Sequence, residues 1–281
     1  LEFRRVLFRS GAQGIMRSAG GALFAMQLGS ALGKLSHEVI TGGDIGLPFY
    51  SESRAAFVTQ NLSQFIADNE LDESQANIYI AVRELAHSRL FRHSRWLRES
   101  VIAQLTNYAS GISIDGEAMS ELASSISPEN AEALKAALES GELLSDRTEE
   151  QLAALSSIET LLALIEGWVE VVTENSTKLL PSAANLDEAL RRRRATSSPA
   201  QSTFATLVGL ELRPKRSREA ASFWRIITER LGIEKRDAIW DHPDLLPESR
   251  DIDNVDSYLE RISSSDDQID QALRDLLGGD Q

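Results

Sequence analysis

The chain has 281 residues and 42% of them are hydrophobic, which is enough for one large domain or two ordinary ones with a sizeable core. Its formal net charge of −14 argues against a nucleic-acid partner, because duplex binding draws on many Lys and Arg contacts to phosphate. It has no cysteine, which excludes a disulfide framework and a thiolate nucleophile and suits the reducing cytoplasm. The longest apolar stretch, residues 20–35, has polar interruptions and is too short to span a bilayer, so we expect no membrane partner.

The two ends of the chain differ in character from the rest. Residues 1–10 lack an initiator Met and look like translated adaptor or vector sequence, although a short native basic extension is the alternative. The chain beyond Pro247 is acidic and rich in serine. We therefore predict a non-native leader at residues 1–10, an N-terminally truncated domain over residues 11–250, and a mobile acidic tail over residues 251–281.

Two elements are predicted before residue 50. Small residues recur every four positions at Gly21, Ala25, Gly29 and Gly33, a spacing that puts them on one helical face and lets another backbone approach. We therefore expect a packing helix there. The turn formers of residues 41–49 favour a short extended segment, where a small β element would lie.

A long helix is predicted to start near Asp72, with Asp72 or Ser74 as its N-cap. Ser94 is the predicted cap of the helix after it, so the chain should turn at His93. The apolar stripe of the first of these helices is expected at Ile78, Val82, Leu85 and Ala86.

This helix carries Arg83-Glu84-Leu85-Ala86-His87, which matches the pattern His-Glu-x-x-His with its first histidine replaced by Arg83. In the intact pattern two imidazoles one turn apart bind zinc, and the glutamate activates the water on the metal. Arg83 and His87 share a face, and Glu84 lies about 100° round the helix axis. On a continuous helix His93 would point away from His87, so only the expected turn could bring its imidazole back.

Two further helices are predicted in the middle of the chain. Ser127-Pro128 is a typical helix start, and Gly141 should end that helix. Residues 148–174 are predicted to form a long helix with apolar residues at helical spacing. Glu166 lies inside this apolar run, and a buried carboxylate needs a cation, a metal or several hydrogen-bond donors beside it.

The densest positive charge is the run Arg191-Arg192-Arg193-Arg194. Aromatic residues are not interleaved with it, so we interpret it as a solvated, salt-bridged surface and not as a nucleic-acid or phosphate patch. Further on, His242-Pro243-Asp244 predicts a turn with a hydrogen-bonding histidine.

Eight collinear segments within residues 15–250 carry a family resemblance: Asp44 to Pro48, Arg83 to His87, Trp96 to Arg98, Leu161 to Trp168, Leu180 to Ala183, Arg191 to Thr196, Thr203 to Pro214 and Trp240 to Pro247. Through them the chain resembles the zincin-like metallopeptidases of actinobacterial type, a family with a branch associated with deazaflavin-cofactor biosynthesis. That branch keeps the full His-Glu-x-x-His and has a histidine where this chain has Trp168.

The resemblance implies a predominantly α-helical fold, with a zincin-like helical core and at most a small β element. It also implies a zinc-dependent hydrolase that acts on a peptide or protein, with Glu84 as general base. His87 and Glu166 are the ligands that the resemblance carries over to this chain.

Arg83 leaves three interpretations of the site open. In the first, His93 completes a zinc site with His87 and Glu166, and Arg83 contacts the substrate. In the second, Arg83 takes the place of the ion and pairs with Glu166, which gives a catalytically inactive scaffold or interaction protein. In the third, Glu84 and His87 match the pattern by chance.

Overall fold

The structure, a computed structural model, describes residues 21–44 except 23, 24 and 27, and residues 46–47, 54–112, 146–196 and 216–264. The α-helices with defined bounds are α1 (Thr59–Asp68), α2 (Glu73–His93), α3 (Arg95–Ser110), α4 (Glu149–Ser176), α5 (Ala183–Ala195), α6 (Ser217–Ala238) and α7 (Ser249–Asp253). Residues 28–36 and 255–264 are also helical. The described part has a single isolated antiparallel bridge, between Thr41 and Phe57, and no strand. Helix accounts for 79% of the described residues, so the predominantly α-helical fold is confirmed.

Local capping explains where the site-bearing helices begin. The Asp72 carboxylate accepts the backbone N–H of Gln75 at 2.8 Å, and so caps α2 as predicted. Helix α4 starts with a capping box, in which Thr148 and Gln151 each accept the other's backbone N–H. The chain turns at Ser94, between α2 and α3. The helix predicted from Ser127 lies outside the described residues.

The buried face of α2 differs from the predicted one. Ile78 and Leu85 are 47% and 58% exposed, so the stripe assigned to them is wrong. The helix instead buries Ala76, Tyr79, Ile80, Glu84, Ala86, His87, Leu90 and Phe91. Two polar residues of the motif thus lie on the inward face, where apolar periodicity alone does not place them.

The small residues near the N-terminus also differ from expectation. Among the described residues, the glycines at positions 21, 29 and 33 have no neighbour within 4 Å of the place of a missing Cβ, so no described backbone packs on that face. This helix instead buries Ala31 and Leu35, which lie four residues apart.

The two ends of α2 contribute to two separate hydrophobic clusters. The main core is formed by the C-terminal part of α2 with α3, α4, α6 and the segment from Ile239 to Tyr258. The small core is formed by Ile40, α1, the N-terminal part of α2 and α5. Arg83 and Glu84 lie in α2 between the parts that serve the two cores, so the site is at their boundary.

Packing continues past residue 250, where a mobile tail was expected to begin. Ile252 and Tyr258 are buried in the main core, and the buried Asp251 carboxylate accepts from Arg261.

Helix α4 is the central helix and contacts α2, α3 and α6. It is long and apolar enough to cross a membrane by length and composition, but 61% of its most apolar window is buried inside the protein. Such burial is typical of the core helix of a soluble protein.

Gly167 lets α4 and α6 approach closely, and we predict that Gly167→Ala destabilises the protein. An added Cβ would lie 2.6 Å from the backbone nitrogen of Ala221 and 2.7 Å from the carbonyl carbon of Ala220, so the helices would have to separate. We expect a loss of about 1–3 kcal/mol in the free energy of unfolding, measured by urea denaturation. Gly29→Ala is the matched control, because its Cβ meets nothing; an equal loss in both variants would contradict the packing argument.

Candidate functional site

Glu166 lies at the centre of the candidate site, on the face of α4 that meets α2 and α5. The residue is 6% exposed. Its Oε1 accepts from Nη2 of Arg83 on α2 and is paired with Nη1 of Arg194 on α5. Two guanidinium groups from different helices therefore supply the positive charge that this buried carboxylate requires.

Glu84 is held by the backbone N–H groups of Gly43 and Ala56, which lie in the part of the chain before α1. Its Oε2 accepts the N–H of Gly43 at 2.9 Å, and its Oε1 accepts the N–H of Ala56 at 3.1 Å. Burial raises the pKa of Glu84 above its ordinary value, while the bonds from Ala56, Gly43 and Thr41 oppose that shift. Both oxygens of the expected general base are thus engaged by structural amides.

His87 is buried against the backbone of Gly43. A Cβ at Gly43 would lie 2.7 Å from both Cγ and Nδ1 of His87, so only glycine lets the backbone lie this close. The ring also packs on Phe91, with centroids 4.9 Å apart. Burial, helped by the positive charge of Arg83, lowers the pKa of His87 to about 4, and the backbone of Gly46 acts the other way. Its buried Nε2 has no hydrogen-bond partner in the described part of the chain.

His93 does not join these residues. It is the last residue of α2, and its side chain is 61% exposed. Its Nε2 lies 2.9 Å from Oδ1 of Asp241, which is also exposed. The turn between α2 and α3 therefore directs His93 to the 3₁₀ turn Ile239–Asp241 and not to Glu166.

Trp168, which stands where the deazaflavin-associated branch has a histidine, is a core residue. Its indole N–H donates to Oδ1 of Asp237 at 3.0 Å, and its ring packs edge-on against Trp240. This position therefore contributes packing in this chain and no imidazole.

The interpretation of the arginine run as a solvated surface is wrong for three of its four residues. Arg193 binds both oxygens of Asp44 at 2.9 and 2.8 Å. Arg191 pairs with Glu170 of α4 and with Asp187, and Arg194 pairs with Glu166. The run is salt-bridged as expected, but two of its four acidic partners, Glu166 and Glu170, are buried.

These donors do not fit a catalytic zinc, which takes three His, Asp or Glu ligands and keeps one position open for water. Among the described residues no group of three or more such side chains could hold a metal. Arg83 and Arg194 are both directed at the carboxylate that would serve as a ligand, and His93 points elsewhere. The ligand roles of His87, His93 and Glu166 stay predictions.

Comparison with known proteins identifies the family. The family model of the zincin-like metallopeptidases matches residues 5–259, so the chain belongs to that family. The expected boundaries at residues 10 and 250 fall inside this match and stay predictions. The actinobacterial and deazaflavin-associated assignments likewise stay predictions.

One solved structure shares the fold, and it is described as a "putative hydrolase with a novel fold" from Chloroflexus aurantiacus. Its TM-score is 0.63 at 22% sequence identity, and the alignment covers 88% of this chain and 71% of that chain. Likeness at this identity establishes the fold only. No curated protein matches the chain.

Sequence reasoning missed Gly43 and Arg194 as parts of the site. Gly43 lies in a stretch rich in turn formers, where one glycine does not stand out. Arg194 could have been proposed as a partner of Glu166, because the buried carboxylate required a cation and the arginine run is the densest group of positive charges in the sequence.

We predict that His87 makes the protein less stable as the pH falls. Its pKa is about 4 in the folded state against 6.5 ordinarily, so between these values the unfolded state binds the proton more readily. The contribution of neutral His87 to the free energy of unfolding is fully present above pH 6.5. It falls by on the order of 3 kcal/mol as the pH is lowered towards 4.

The measurement is urea denaturation between pH 7 and pH 4 for the wild type and for His87→Gln, which does not titrate. The raised pKa of Glu84 acts in the opposite direction, and taking the difference between the two proteins removes it. Equal pH dependence in both proteins would contradict the burial of a neutral His87.

Proposed function

We propose that this protein is a catalytically inactive member of the zincin-like metallopeptidase family that acts as a scaffold or interaction protein. The observation that supports this most directly is the pairing of Glu166 with both Arg83 and Arg194. The partner under this proposal is another protein, and the lack of cysteine fits a cytoplasmic setting.

The charge balance supports the proposal. Two guanidinium groups together carry the charge of a zinc dication and do not lose their protons at physiological pH. They can therefore neutralise the buried Glu166 without an ion. A dication placed beside Arg83 and Arg194 would be repelled by both of them in a region of reduced solvent screening.

The environment of Glu84 supports it as well. A general base must be within hydrogen-bond reach of the proton that it removes. Both oxygens of Glu84 instead accept backbone N–H groups, and Gly43 covers the side chain. Glu84 thus joins the covering segment to α2.

The second candidate is a zinc-dependent metallopeptidase that acts on a peptide or protein. One observation favours it: Nε2 of His87 is buried and has no hydrogen-bond partner among the described residues, as a metal-binding nitrogen would be before the ion arrives. His87, Glu166 and His93 would hold the ion, and such an ion would polarise the substrate and lower the pKa of a bound water.

The test is zinc content, measured by plasma mass spectrometry on protein purified without chelators and supplied with zinc. We expect the wild type to hold well below one zinc per chain. Arg83→His should raise the content, because it removes one guanidinium and supplies an imidazole one turn from His87. Arg83→Met is the matched control, since it removes the same charge without adding a ligand.

The opposite result is equally clear. On the order of one zinc per wild-type chain, lost in both His87→Ala and Glu166→Ala, would contradict the proposal. That result would support the metallopeptidase, and a peptidase assay with a Glu84→Gln control would follow.

A further inference from the structure

The boundary between α4 and α5 is built from charges. Glu166 and Glu170, one turn apart on α4, pair with Arg194 and Arg191 of α5. We call these four residues the charged seam. The apolar residues of α5 face the small core instead: they are Leu186, Ala189 and Leu190.

Helix α5 also holds the segment that covers the site. Arg193 binds both oxygens of Asp44, and its Nη2 also donates to the backbone oxygen of Glu38. Asp44 in turn accepts the N–H of Ile40 at 3.0 Å. One arginine of α5 therefore contacts both ends of residues 38–44, whose middle is paired with the backbone of residues 56–58.

The residue next to Asp44 is Gly43, which lies against His87 and donates to Glu84. A continuous path of contacts thus runs from Arg193 through Asp44 to Gly43 and on to the two motif residues. Asp44 is joined to Gly43 by one peptide bond, so the contact between Arg193 and Asp44 helps to hold Gly43 close to His87.

A charged boundary separates more easily than an apolar one. When the seam opens, water solvates the released carboxylates and guanidiniums, which offsets much of the lost attraction. The opening also exposes Leu186, Ala189 and Leu190, but the small core to which they belong has ten buried apolar residues, whereas the main core has 25. Parts of a protein held this way open below the free energy of global unfolding.

We propose that α5 is a latch: it opens from α4 along the charged seam together with residues 38–44, and this opening uncovers His87, Glu84 and Glu166 while the main core stays folded. The site is then accessible to a partner or ligand only in the open state. This inference does not depend on whether the protein binds zinc.

Native-state hydrogen exchange of the full chain at low denaturant concentration tests the latch. The N–H of Gly43 is the reporter, because its bond to Glu84 must break when the site is uncovered. We expect the Gly43 amide and the α5 amides to exchange through one opening, at least tenfold faster than the α4 amides. Exchange of all three sets only through global unfolding would overturn the proposal.

The matched pair of variants is Arg193→Met and Arg216→Met. Both remove an arginine that pairs with an acid, but Arg216 lies at the start of α6 and pairs with Asp253, outside the charged seam. We expect Arg193→Met to speed exchange at Gly43 at least tenfold relative to the α4 amides, and Arg216→Met to leave that ratio unchanged. Equal ratios in the two variants would overturn the role of α5, and the wild-type measurement decides the question if either variant does not fold.

Discussion

The burial of a carboxylate in the most apolar helix of the protein is the constraint on which the site depends. An unpaired charge at Glu166 would carry a desolvation cost of several kcal/mol, so counter-charges must reach it from outside α4. They come from Arg83 on α2 and Arg194 on α5. These contacts set how both helices lie against α4.

The same requirement recurs at the neighbouring acids. Glu170 receives Arg191 from α5 and Arg225 from α6, and Asp44 receives Arg193. Helix α5 therefore contributes a charge to each of three acids outside itself, two on α4 and one, Asp44, in the segment before α1. The family motif sits within this network, with Glu84 and His87 covered by the backbone around Gly43. A site organised in this way is stabilised by fixed charges, and an ion is not needed to hold it together.

How far the sequence predicted this structure depended on the range of the interactions. Asp72 was recognisable as a cap because its partner lies three residues away. The need for a cation at Glu166 was also predictable, since it follows from burial alone. Arg83 was one expected partner, in the interpretation that pairs it with Glu166, whereas Arg194 was not expected. Arg194 reaches Glu166 only because α5 packs beside α4, and nothing local to residues 191–194 records that contact. The face of α2 was misassigned for the same reason, because buried polar residues such as Glu84 break the apolar periodicity on which the assignment relies.

The central claim is that Arg83 and Glu166 form an energetically coupled pair inside the protein. A double-mutant cycle with Arg83→Met, Glu166→Gln and the combined variant measures that coupling from free energies of unfolding. The account predicts a favourable coupling above about 1 kcal/mol, because either single change leaves a buried charge with less compensation. Strictly additive effects would contradict it, since they would mean that the arginine does not balance the charge of the carboxylate.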